Sequence, residues 1–109
     1  MSTTTVTINL PDTRTDGSAL ALTDIASFTL TKAVGSAAAA TLETVQGPFT
    51  SATQTFTDSS PDFGQTDNYS CTVTDVEGNT SAAGTVSVVV PPSQLAAPSA
   101  PTLTAVFNP

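Results

Sequence analysis

The chain has 109 residues, enough for one domain with a single modest core. Nine acidic residues against Arg14 and Lys32 give a net charge of −7, which excludes the basic face that a nucleic acid or an anionic membrane surface requires. The absence of His excludes Ser–His and Cys–His pairs, and no Gly-rich phosphate loop occurs, so the composition predicts a protein that is not an enzyme and uses no cofactor.

The N-terminal Met-Ser-Thr-Thr-Thr-Val-Thr has no basic region and no apolar run. It does not read as a signal peptide, and no segment is long and apolar enough to span a membrane. The expectation is a protein made in a cytoplasm and not exported by the usual route. Five Phe, one Tyr and no Trp leave most of the core to Val, Leu and Ile, so stability is expected to be marginal and supplemented by assembly.

Residues 5–10 alternate, with Val6, Ile8 and Leu10 facing one way, which predicts a half-buried strand ended by Pro11. Residues 12–24 form a polar loop with Asp16-Gly17 as its turn signal. A strand over 25–32 presents Ala26, Phe28 and Leu30 on one face. The Ala-rich stretch 33–40 is open between a helical turn and a loop. Residues 41–45 predict an edge strand stopped by Gly47-Pro48, and residues 52–57 a strand with Ala52, Gln54 and Phe56 on a common face. Residues 58–67 read as loop. Strands over 69–74 and 85–90, joined through a tight Glu77-Gly78-Asn79 turn, form a last hairpin. Six short strands separated by turn signals predict an all-β sandwich.

Two domain segments follow: residues 1–92 as the sandwich, and residues 93–109 as a Pro-rich, extended C-terminal arm. In the arm Leu103, Ala105 and Phe107 alternate with Thr102, Thr104 and Val106. Three destinations are open for it. It folds back on its own sandwich, it adds to the open sheet edge of a neighbouring copy, or it begins a second domain. Fully extended, residues 93–109 reach about 55 Å, so a neighbour is accessible. An uncapped sheet edge is adhesive. Leu95, Leu103, Ala105, Val106 and Phe107 are therefore the candidate partner contacts, with a homo-oligomer as the expected partner.

Residues 6–30, Val-Thr-Ile-Asn-Leu-Pro-Asp-Thr-Arg-Thr-Asp-Gly through to Ser-Phe-Thr-Leu, resemble the second and third strands of a fibronectin type III domain with their Asp-Gly loop. Tyr69, two residues before Cys71, resembles the tyrosine corner of immunoglobulin-like sandwiches. The turn at 78–81 resembles the family's last hairpin. The resemblance covers residues 4–90 and implies an Ig-like or type III β-sandwich, with the Tyr69 hydroxyl bonded to upstream backbone. Leu10 stands where the family usually has a core Trp, and the family's Pro-rich lead and first strand have their counterpart in the C-terminal arm instead.

The lone Cys71 reads as a buried structural thiol, since nothing nearby would form a thiolate. In a type III topology the loop at 11–24 and the turn at 75–79 share a pole, which gathers Asp12, Asp16, Asp24, Asp75 and Glu77. These are oxygen ligands suited to Ca²⁺, but without a compact ligand spacing, so separate solvated acids are expected and no metal site. Arg14 reads as solvated, with a loop acid or a partner as the alternative. Phe49 and Phe63 are the loop aromatics available to a glycan. Small sandwiches of this kind are common on phage heads and tails. The resemblance thus implies a non-enzymatic virion protein, foremost a capsid decoration or cement protein bound to the major capsid protein. The alternative is an Ig-like module of a phage tail or bacterial adhesin that recognises a host glycan.

Overall fold

A computed structural model describes residues 2–92 and 97–109. The described chain is all-β: β1 (Thr4–Asn9), β2 (Ile25–Val34), β3 (Ala40–Gln46), β4 (Thr53–Asp58), β5 (Thr66–Asp75) and β6 (Gly84–Val89), with one 3₁₀ turn at Leu22–Asp24. They form two antiparallel sheets, β1-β4 and β3-β2-β5-β6, an arrangement consistent with a β-sandwich. Val6 and Ile8 of β1 meet Phe28, Leu30 and Tyr69 of the larger sheet in one core, closed at the ends by Leu10, Leu20, Ile25 and Phe49.

The period-2 patterns explain most of the strands, because alternate side chains of a strand enter the core. Two differences have physical causes. The expected inward face of β2 included Ala26, but Ile25 is the buried residue, at 1 % exposure. A register irregularity between Ile25 and Ser27 turns the larger side chain inward. The second concerns β5, which begins at Thr66 rather than within the expected strand 69–74. Asp67 looks like a loop residue by type, yet it is fully buried in the strand because Lys32 lies beside it.

The Ala-rich stretch resolves as a turn at Gly35–Ser36, after which β3 starts at Ala40; among the described residues β3 pairs only with β2 and is the edge strand expected. Residues 97–109 form no strand and are exposed throughout.

Candidate functional site

The loop after β1 and the turn after β5 meet at one pole. The Val76 N–H donates to the Asp24 carbonyl at 2.9 Å, and Arg14 Nη1 donates to Asp75 Oδ2 at 2.7 Å. Arg14 is therefore paired with a loop acid rather than simply solvated. Asp75 Oδ1 accepts the N–H groups of Glu77 and Asn79, and Oδ2 accepts Asn79 Nδ2. The hydrogen bond from Arg14, then those from Asn79, hold the Asp75 carboxyl well below the usual carboxylate range. Asp16 is committed to its own turn, accepting the Ser18 hydroxyl and N–H, and these bonds lower its pKa. Asp12 contributes its backbone carbonyl to Leu20. Asp16, Asp24, Asp75 and Glu77 lie around Arg14, and Asp75 and Asp16 are spent on the fold. Among the described residues no group of three or more His, Cys, Asp or Glu is placed to hold a metal ion.

At the other pole lies a charged cluster that the sequence reading did not find. Lys32, in the period-2 row of Phe28 and Leu30, points inward with 9 % of its side chain exposed. Its Nζ lies 2.7 Å from Asp58 Oδ2 and 3.5 Å from Asp67 Oδ2, and it also pairs with Asp62. The Tyr69 hydroxyl donates to Asp58 Oδ2 at 2.6 Å. This corrects the expectation that it bonds upstream backbone: a side-chain carboxylate takes that place. Burial, then the bond to Asp58, push the Tyr69 hydroxyl up to about 12, so it remains a donor at neutral pH. Burial works against charge on both Lys32 and Asp58, but their mutual contact outweighs it. Lys32 is raised and Asp58 lowered. Burial raises Asp67, whose Oδ1 has no hydrogen-bond partner in the structure. The cluster pins the end of β4 and the following loop onto β2 and β5. The sequence signal was parity: Lys32 follows Leu30 by two, and Asp67 precedes Tyr69 by two.

A groove of about 430 Å³ opens between β1 and β6. Val6 and Ile8 line one wall, Leu30, Tyr69 and Cys71 the floor, and Val86 the other wall. Cys71 faces inward as expected but is only half-buried, because β6 opposes it with Gly84, which carries no side chain. Burial raises its thiol pKa. Val86 pairs across from the fully buried Tyr69 and shares its inward face, yet stays 50 % exposed. β1 hydrogen-bonds only to β4, so its edge beside the groove is unpaired among the described residues.

Leu103, Val106 and Phe107 are 87 %, 81 % and 87 % exposed, and Ala105 is exposed as well. Leu95, the remaining candidate contact, lies outside the described residues. Neither glycan candidate is presented to solvent in full. Phe49 is buried against Phe28, their ring centroids 5.7 Å apart, and Phe63 is half-buried in a recess beside Val88–Val90. The chain matches no protein-family model, no curated protein and no solved structure.

Proposed function

We propose that the chain is a non-enzymatic structural protein of a tailed-phage virion, acting as a decoration or cement protein on the outside of the head. The observation that carries this reading is the exposure of the apolar Leu103, Val106 and Phe107 on a C-terminal arm of an acidic chain. Exposed apolar patches mark association sites. The net charge of −7 keeps the bodies soluble, so attachment falls to the arm. The order β1-β4 against β3-β2-β5-β6 supports a type III or Ig-like body in which the strand outside β1 is supplied from elsewhere. The partners are other copies of the chain and the major capsid protein, and the location is the particle surface.

The test is co-sedimentation of the purified chain with phage heads stripped of their decoration. The full chain should pellet with the heads, and a Leu103→Asp/Phe107→Asp variant with unchanged circular dichroism should not. A full chain that stays in the supernatant refutes the capsid reading.

A further inference from the structure

The groove and the arm have complementary shapes and chemistry. The groove of about 430 Å³ has, among the described residues, an unpaired backbone edge on one side and under-covered inward side chains, Cys71 and Val86, on the other. The arm carries a proline-free run over 102–107, alternating Thr with Leu103, Ala105 and, past Val106, Phe107. β1 has six residues, so this run matches it in length. The run's N–H and C=O groups suit the free edge of β1, and its alternate side chains suit the floor. Among the described residues neither half is paired.

Strand direction decides whose arm fits. Ser2 and Thr3, just before β1, share a recess with Val88–Pro91 at the end of β6. Asn9 and Pro11, at the other end of β1, line the groove with Ser81 and Ala82, just before β6. β1 and β6 therefore run in opposite directions, and the arm leaves the body at the pole where β1 begins. A strand antiparallel to β1 must start at the opposite pole, beside Pro11 and Ala82. A chain's own arm reaches that pole only by doubling back along the full body. Pro91, Pro92, Pro98 and Pro101 favour an extended backbone and oppose that reversal. The arm of a copy stacked above arrives at that pole directly.

We propose that the groove between β1 and β6 receives residues 102–107 of a second copy, paired antiparallel to β1, with Leu103, Ala105 and Phe107 over Cys71 and Val86. This deepens the structural-protein reading and rests on it. The contact joins copies by exchange of the arm, the arm of one copy filling the groove of another.

Cys71 on the groove floor provides the test. A tagged donor carries Cys71→Ser and one new thiol, by Leu103→Cys, Ala105→Cys or Phe107→Cys. It is mixed with the untagged natural chain under mild oxidation and resolved without reductant. A disulfide needs Cα atoms about 4.4–6.8 Å apart, so it reports seating in the groove. The expected result is a tagged–untagged covalent pair for at least one inward position and none for Thr104→Cys. Adding Phe107→Asp to a cross-linking donor should weaken pairing by about tenfold to a hundredfold, the loss of one buried side chain. Three results overturn the proposal: no mixed pair at any position, equal cross-linking through Thr104→Cys, or a cyclised monomer when Ala105→Cys is combined with the natural Cys71. The assay contains no phage heads, so its failure is separate from failure of the co-sedimentation.

Discussion

Replacing Lys32 by Met removes the cation from three carboxylates while keeping most of the side-chain volume, so little cavity forms. Asp67 is 0 % exposed and Asp58 6 %, and neither gains water when the ammonium is lost. Removing one partner of a buried ion pair costs about 3–5 kcal/mol, a large part of the roughly 5–15 kcal/mol of a whole domain. With a urea slope of about 1 kcal/mol/M, the unfolding midpoint at pH 7 falls by about 3 M or more. The pH dependence carries a sign. In the natural chain the lowered Asp58 contributes stability that is present above its unfolded value of about 3.9 and lost as pH falls through the folded one. The raised Asp67 acts in the opposite sense, gaining stability as pH falls. Lys32 contributes fully below about 10.4 and loses its contribution only as pH rises through its raised folded value. Without Lys32, burial and mutual repulsion push the carboxylates up together. The variant therefore gains more stability than the natural chain as pH falls from 7 to 5. Urea titrations followed by far-ultraviolet circular dichroism at both pH values measure this. A loss under about 1 kcal/mol at pH 7, or a variant that keeps the pH profile of the natural chain, refutes the reasoning.

Tyr69→Phe removes one donor from the buried Asp58 and is expected to cost about 1–3 kcal/mol, read from the same urea titrations. Arg14→Gln should move the Asp75 titration upward, toward the ordinary carboxylate range, as followed by carboxyl carbon chemical shifts; an unmoved titration would show that the Asn79 and Glu77 donors alone hold it down. Cys71 should react with a thiol reagent more slowly than free cysteine at pH 8, because burial raises its pKa. Its rate should also fall as protein concentration rises and arms fill the grooves; a rate independent of concentration counts against the groove as an arm receptor.

The strands were legible wherever apolar residues alternate, as in Val6-Ile8 of β1 and Phe28-Leu30 of β2, because burial of one face imposes that pattern. Legibility failed where the inward row continues in charge. Lys32 and Asp67 occupy core-facing positions, but each has the composition of a surface residue, and only the antiparallel pairing of β2 with β5 brings them together. The acid pole shows the complementary failure. Chain order told which two loops face each other, but not that Arg14 and the backbone of the turn would occupy Asp75. The groove was the least legible feature, since it is defined by the side chain that Gly84 lacks opposite Cys71 and by an edge left without a neighbour.

The Lys32 cluster also acts on misaligned forms of the sheet. A one-residue slip of β2 would already turn the buried Phe28 and Leu30 out of the core, and the charged row adds a second barrier. A shift of one residue relative to β5 would carry Lys32 to the outer face and set Thr31 or Ala33 over Asp58 and Asp67. Those carboxylates would then be enclosed without a counter-charge, a penalty that grows with every acid in the group. One cation shared among Asp58, Asp62 and Asp67 is thus an error check, stabilising the correct alignment modestly and making the neighbouring ones prohibitive.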